Sequence, residues 1–498
     1  MNVNPITRLD YPDPDVIRVE DTYYMVSTTM HFMPGCEILQ SFDLVHWEHV
    51  TYVYETLDHT DAQQLKSGQN IYGQGMWAAS LRYHEGRFYI CFVANDTRKT
   101  YLYTSEKIDG PWKKQLIEGF YHDGSLLFDE DGRNYIVYGN DEIWITELNE
   151  DLTAPKKDGL HRLLVSDHKN PELGYEGSHI QKINGYYYIF LVHSLRDRWM
   201  RTEACFYSDS LEGEFTGGDV LCDDRGYCGQ GVAQGGIVDT PDGKWYAMLF
   251  QDSGAVGRIP ILLPVTWKDH FPVFGQNGHV PEEIEVQSTR PGYIYQPLVG
   301  SDDFCNGLLP RWQFNHDPDP RYYHLDALQG TYTITTREVC TELTQAVNTL
   351  TQRMSYPSCA AEVTVDASAL KEGDVAGLCA LQGCYAAVGI TKHHGKYEVL
   401  MLDKKEDGIL DMTEGTVVES HQMDFRLEAD FCNMKDEARC YYRVNKGDWL
   451  PIGTVHKLYF KLDHFTGCRF GLFCYAAEET GGSACFRDFK YYDVDEIS

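Results

Sequence analysis

Between Asp21 and Ala247 one pattern of polar and apolar positions returns five times: a polar turn running into an aromatic-rich segment. The copies are Asp21-Thr-Tyr-Tyr-Met, Gly86-Arg-Phe-Tyr-Ile, Gly132-Arg-Asn-Tyr-Ile, Gly185-Tyr-Tyr-Tyr-Ile and Gly243-Lys-Trp-Tyr-Ala. Apolar or alternating runs flank each copy, as Leu81-Arg-Tyr-His precedes the second and Tyr89-Ile-Cys-Phe-Val follows it, which predicts a β-hairpin at each. A further element trails three of the hairpins: Ser41-Phe-Asp-Leu with Trp47, Ser105-Glu-Lys-Ile with Trp112, and Ser208-Asp-Ser-Leu with Phe215. It is expected to form an outer strand. Units of roughly 45–65 residues with about four short strands each suit propeller blades, because one blade cannot bury both of its faces alone. An ordinary β-sandwich rich in hairpins is the simpler rival, and the length of the repeat favours the propeller.

The pattern breaks between Val280 and Gly300, where Pro-Glu-Glu and Arg-Pro-Gly-Tyr segments read as a linker. Beyond it, Tyr332-Thr-Ile-Thr, Ala361-Glu-Val-Thr-Val and Leu458-Tyr-Phe-Lys-Leu alternate without helical periodicity. The chain is therefore expected to be all-β: a five-bladed β-propeller over 1–285, a linker over 286–300 and a β-sandwich over 301–498.

Composition narrows the function classes. No run approaches the roughly 18 consecutive apolar residues of a membrane helix, and Met1 to Asp15 lacks the basic and apolar succession of a secretory signal. The 15 cysteines include no Cys-x-x-Cys pair or zinc-type cluster, which suits thiols kept reduced as small apolar fillers, and the cytoplasm is the expected compartment. A net charge of −32 repels nucleic acid and anionic membrane surfaces but tolerates a neutral ligand. With 13% aromatics, sugar is a natural candidate.

Hydrolysis of a glycosidic bond needs one carboxylic acid to protonate the leaving oxygen and one carboxylate opposite it. In a propeller such acids belong on innermost strands of different blades. Asp13, in Tyr11-Pro-Asp-Pro-Asp-Val-Ile-Arg, Asp123, in His122-Asp-Gly-Ser-Leu-Leu-Phe, and Glu176, in Gly174-Tyr-Glu-Gly-Ser-His-Ile, stand just before the first, third and fourth hairpins. An aspartate beside proline or glycine is, taken singly, a turn residue. A turn does not require the matching register, and convergence on one point does.

These segments, with Met76-Trp-Ala-Ala-Ser-Leu and Gly257-Arg-Ile-Pro, resemble family-43 glycoside hydrolases. The second domain, through Trp312-Gln-Phe-Asn-His, Thr351-Gln-Arg, Gly373-Asp-Val-Ala-Gly-Leu and His464-Phe-Thr-Gly-Cys-Arg-Phe, resembles the concanavalin-like, jelly-roll sandwich of the β-xylosidase branch. The resemblance implies an inverting enzyme with Asp13 as general base, Glu176 as general acid and Asp123 orienting the acid and raising its pKa. Inversion implies Asp13 and Glu176 carboxyl groups about 6.5–9.5 Å apart. It further implies Trp77 as a pocket wall and Arg258 as a ligand of sugar hydroxyls; His31 and Phe32, in the loop after the first hairpin, are candidates for the pocket rim by their position in the chain.

Two positions depart from the family pattern. Gln234, in Ala233-Gln-Gly-Gly, stands where many relatives carry a histidine that helps hold a metal ion or water cluster, so a structural calcium is left open and no cofactor is required. Ala78-Ala79 replaces an expected Ala-Pro. A non-catalytic carbohydrate-binding propeller is the rival from another class, and nothing would align its acids. The retaining β-fructosidase type wants an Asn-Asp-Pro-Asn start and a Glu-Cys motif, and neither is present. The expected activity is exo-acting release of terminal xylose from xylo-oligosaccharides, because the sandwich accompanies that activity. α-L-Arabinofuranosidase activity on arabinosylated oligosaccharides, alone or in a bifunctional enzyme, is the alternative, and homo-oligomerisation is left open.

Overall fold

The computed structural model describes residues 2–413, 415–461 and 464–493. Five four-stranded antiparallel sheets follow one another along the chain, opening with the innermost strands Asp15–Val19, Met76–His84, Ser125–Phe128, Glu176–Ile183 and Ala233–Asp239. Neighbouring innermost strands touch in succession and the fifth returns to the first, closing a five-bladed propeller. The five repeated turns each join the first strand of a blade to its second. At Glu85-Gly86 and Asn184-Gly185 both turn residues have positive φ, the conformation of a two-residue hairpin matched to strand twist.

The segments expected as outer strands are instead the loops before them. Ser41, Ser105 and Ser208 end the third strands of their blades, and the fourth strands begin at Glu48, Lys113 and Thr216. Each serine turns the chain by accepting a backbone N–H two residues on, at 3.1–3.3 Å. The aromatic that follows, Trp47, Trp112 or Phe215, packs into a core. Aromatic spacing alone does not separate such a plug from a strand.

A belt of buried polar bonds ties the innermost strands together. Asp15 accepts Leu81 N–H at 2.7 Å and Arg82 Nη1 at 2.8 Å, and its other oxygen meets His179 Nδ1 at 3.1 Å. Arg82 continues to Ser125 Oγ at 2.6 Å and to Leu126 O. Blades 1 to 4 are thereby linked two residues from Asp13. Burial opposes the Asp15 charge, but Arg82 and His179 outweigh it and hold the carboxyl below its ordinary value.

The segment after Glu283–Ile284 runs along blade 1, where Thr289 bonds Asp21 O and Tyr295 receives Phe42 N–H. The second domain packs a nine-stranded sheet on a seven-stranded one, with Trp312, Phe425, Phe470 and Phe486 in its core. Tyr332 and Ala361 lie in strands as expected. Leu458 follows the strand Leu450–Lys457 rather than starting one, and Leu462 of that expected segment lies outside the described residues.

The nine-stranded sheet borrows a strand from the propeller. Phe32–Met33, in a loop of blade 1, pairs with Gln313–Asn315 of the sandwich. This corrects the expectation for His31 and Phe32: both are sealed between the domains, the His31 ring lying against Phe32, Tyr72, His316 and His464. Pairing across domains cannot be read from a hairpin pattern within one of them.

Burial and the neighbouring imidazoles push His31 well below the ordinary histidine value and His316 down to about 3. Their neutral forms contribute full stability above the unfolded value near 6.5, and that contribution is lost as pH falls towards the folded values. Calorimetric melting is expected to show the wild type losing stability below about pH 6, by up to about 1.4 kcal/mol per pH unit for each such histidine. His31→Phe should lose less; parallel acid profiles for the two proteins would contradict the assignment.

Candidate active site

The first and third innermost strands are entered through aspartates in a left-handed backbone: Asp13 at φ 53° and Asp123 at φ 47°, each two residues before its strand. Glu176 is the first residue of the fourth. The second, fourth and fifth innermost strands shift register at Trp77/Ser80, Glu176/His179 and Ala233/Gly236, bulges that re-aim side chains at this end of the propeller. Around them lies a cavity of about 210 Å3 lined by Asp13, Trp77, His122, Asp123, Leu173, Glu176, Trp199, Arg201, Gln234, Arg258 and Phe465. Three acids from three blades thus face one space. A larger cavity of about 460 Å3 lies at the far end of the same strands, but its acids Asp239 and Glu130 are taken up by Arg18 and Lys182.

Asp13 is buried and fixed at both oxygens: Arg258 Nη1 donates to Oδ1 at 2.6 Å and Thr28 Oγ1 to Oδ2 at 2.5 Å. Thr28 also accepts Ala78 N–H at 2.9 Å, tying the orientation of Asp13 to blade 2 beside Trp77. Arg258 is held in turn by Asp252, with Nε to Oδ1 at 3.3 Å, and by the rings of Phe250 and Phe465 at 4.6 and 4.0 Å. Asp252 pairs as well with the buried Arg201. Arg258 therefore orients Asp13 as well as lining the cavity.

Across the cavity, Gly177 N–H donates to Asp123 Oδ2 at 3.0 Å. His122 Nε2 lies 3.4 Å from Glu176 Oε2 and 3.5 Å from Asp123 Oδ2, and Asn140 Nδ2 donates to the same Glu176 oxygen at 2.8 Å. The electrostatics run opposite to the expectation for Glu176. Burial raises it, but the bond and charge of His122, with Arg201 and Arg258, more than offset burial and hold its carboxyl below the ordinary value. The raised carboxyl is Asp123, pushed up to about 6 by burial, with Glu176 and Asp13 adding to the effect and His122 opposing it. The expectation weighed one carboxylate against another and left out the imidazole between them.

The walls of the cavity are aromatic. Trp77 is half-buried and meets Phe465 edge-on, ring centroids 5.3 Å apart. Phe465 belongs to the second domain, so the sandwich completes the pocket. Trp199, Leu173, Arg201 and His122 escaped the sequence reading. For Trp199 the available signal was a lone tryptophan in the charged run Arg196-Asp-Arg-Trp directly after the fourth hairpin.

Gln234 lines the cavity, its left-handed backbone pinned by Glu203, which accepts Gln234 N–H at 2.7 Å. Burial raises Glu203 well above the ordinary carboxylate range. Among the described residues, the one grouping of three His, Cys, Asp or Glu side chains close enough to share an ion is His122, Asp123 and Glu176, whose polar atoms lie within 4.8 Å of one another. One imidazole and two carboxylates are not by themselves the six to eight oxygens that calcium takes.

Comparison with known proteins places this geometry. The pattern of glycosyl hydrolases family 43 matches residues 3–272. The chain belongs to that family. Residues 301–492 match the β-xylosidase C-terminal concanavalin A-like domain. A β-xylosidase of Formosa agariphila is 26% identical, covering 99% of this chain and 89% of its own length. A solved structure of a bifunctional GH43-CE protein of Bacteroides eggerthii is 42% identical with a TM-score of 0.92, over 99% of this chain. The chain spans 64% of that protein's length. A family-43 enzyme engineered for both endo-xylanase and exo-arabinofuranosidase activity is 27% identical with a TM-score of 0.88, covering 99% of each chain. Family-43 enzymes are glycoside hydrolases that invert configuration, and so is this one.

Proposed function

We propose that this family-43 enzyme removes one terminal xylose at a time from xylo-oligosaccharides. Asp13 deprotonates the attacking water, Glu176 protonates the leaving oxygen, and Asp123 orients the acid. The observation that carries this reading is that Asp13 and Glu176 face one small cavity walled by Trp77, Trp199 and Phe465. Its volume of about 210 Å3 lies below the roughly 300–1,000 Å3 of sites for drug-sized ligands, which suits a single sugar and exo action. The second domain supports it by supplying Phe465 to the wall of the pocket.

α-L-Arabinofuranosidase activity is the second reading, favoured by the exo-arabinofuranosidase activity of the engineered structural relative. Matched 4-nitrophenyl β-xyloside and α-arabinofuranoside assays decide between them through the ratio of kcat/KM. Fifteen free cysteines support a reducing compartment, and we assign the cytoplasm.

The test of the mechanism is Glu176→Gln. It should lower kcat on xylobiose by ~10²–10⁴, the usual range for a general acid, and cost far less on a 2,4-dinitrophenyl xyloside, whose leaving group needs no proton. Equal losses on the two substrates would remove Glu176 from the role of acid.

A further inference from the structure

We infer that the second domain orients the catalytic base as well as walling the pocket, because it seats the turn 253–257 from which Arg258 springs. Gln382 and Gly467 of the sandwich are then positioning residues that act on Asp13 through this turn. The inference rests on the reading of Asp13 as the general base. The turn joins the second and third strands of blade 5, Trp245–Asp252 and Arg258–Lys268, with Asp252 and Arg258 facing each other as cross-strand partners at its foot. Its inner bonds, Ser253 N–H to Gly257 O and Gly257 N–H to Gly254 O, are both 2.9 Å and make it one tight unit.

The tip of the turn lies in the other domain. Ala255 and Val256, with Ile259, belong to the apolar core of the sandwich. The corresponding turns of blades 2 and 4 instead put Arg98 and Arg196, Asp197 and Arg198 in solvent. Three sandwich segments grip the tip. Ala255 O accepts Cys468 N–H at 2.8 Å and Gln382 Nε2 at 3.2 Å, while Gln382 Oε1 accepts Tyr459 N–H at 3.3 Å. Val256 O lies so close to Gly467 that a Cβ there would stand 1.9 Å from it. On the other flank the Asp436 carboxyl fits against Gly254, at φ +75°, where a Cβ would come 2.7 Å from both oxygens.

A carboxylate that activates water must hold one direction, and Arg258 Nη1 fixes that of Asp13 at 2.6 Å. Arg258 is the first residue beyond the turn, and its Nε meets Asp252 at the other foot. A shift of the tip therefore swings Arg258 and Asp252 together and turns Asp13 with them. Asp123 and Glu176 stand on blades 3 and 4 and do not follow. A misplacement of about 1 Å that arises far from the chemistry can cost on the order of 10²-fold in rate. The loss falls on the water-activating step, which both kinds of leaving group share.

The test is kcat on xylobiose and on 2,4-dinitrophenyl xyloside for Gly467→Ala and Gln382→Met, each made in the wild type and in Asp13→Asn. Gly467 lies outside the left-handed region, so alanine acts there by pushing Val256 and the turn away from the sandwich. Methionine at 382 keeps the volume and removes the donor to Ala255 O. In the wild type kcat should fall ~10-fold for Gly467→Ala and about 3-fold for Gln382→Met, alike on the two substrates. In Asp13→Asn no base is left to misplace, and each substitution should change kcat by less than about 2-fold, the non-additivity of residues that act as a unit. A purely structural role costs the same factor on both backgrounds. That result, or wild-type kcat in both single variants, overturns the inference while leaving Asp13 as the base. An Asp13→Asn protein that keeps its kcat, or loses it on xylobiose alone, overturns the reading of Asp13 and the inference with it. If Gly467→Ala does not fold, Gln382→Met decides by the same comparison.

Discussion

Asp13→Asn is expected to lower kcat by ~10³ on xylobiose and on a dinitrophenyl xyloside alike, within the range that a general base contributes. Water must be deprotonated whatever the leaving group, so an activated aglycone cannot compensate as it does for Glu176→Gln. The substitution isolates the chemistry from the fold. Asparagine tolerates the left-handed backbone that Asp13 adopts between Pro12 and Pro14. Its carbonyl oxygen can still accept from Arg258 Nη1, and its amide can donate to Thr28 Oγ1. A melting midpoint close to wild type should therefore accompany the kinetic loss. Paired rate measurements settle the assignment, and a loss confined to xylobiose would exchange the roles given to Asp13 and Glu176.

The propeller was legible because each blade must satisfy one local rule: a tight turn between two alternating strands. Glycine or asparagine at positive φ marks that turn in the sequence, as at Asn184-Gly185. The convergence of the three acids on one cavity was legible because the same rule fixes their distance from the turn, so Asp13 and Asp123 both sit two residues before an innermost strand. What escaped depends on contacts between segments far apart in the chain. Phe465 reaches the pocket only because the sandwich docks on the propeller, and His31 is buried only because Phe32–Met33 joins a sheet of the other domain. His122 stood in plain view beside Asp123. Its weight comes from lying 3.4 Å from Glu176 of the next blade, which a sequence separation of 54 residues does not reveal.

Arg353→Ala is expected to cost about 3–5 kcal/mol of stability, the range for a buried ion pair that loses one partner. Arg353, in the sandwich strand Leu350–Arg353, pairs its Nη1 with Glu37 of blade 1 at 2.8 Å and donates Nε to Asp10 O at 2.8 Å, with its guanidinium 4.2 Å from the Tyr11 ring centre. Burial alone would raise Glu37, but Arg353 and His49 hold it down at about 2. Its contribution is therefore complete above the unfolded value near 4.5 and is lost as pH falls towards 2. Without Arg353 the stranded carboxylate can escape its penalty by taking a proton, so the deficit of the variant should be largest near pH 7 and shrink towards pH 4. The damage should reach the pocket as well. Asp10 accepts Arg258 N–H at 2.7 Å through one oxygen and Gly467 N–H at 2.8 Å through the other, binding the strand of Arg258 to the loop that carries Phe465. Loosening Asp10 frees the sandwich side of the pocket while Asp13 and Glu176 stay on the propeller. KM should therefore rise more than kcat falls. Calorimetry at pH 7 and pH 4 with steady-state kinetics checks both halves, and a deficit equal at the two pH values would mean that Glu37 is not what Arg353 neutralises.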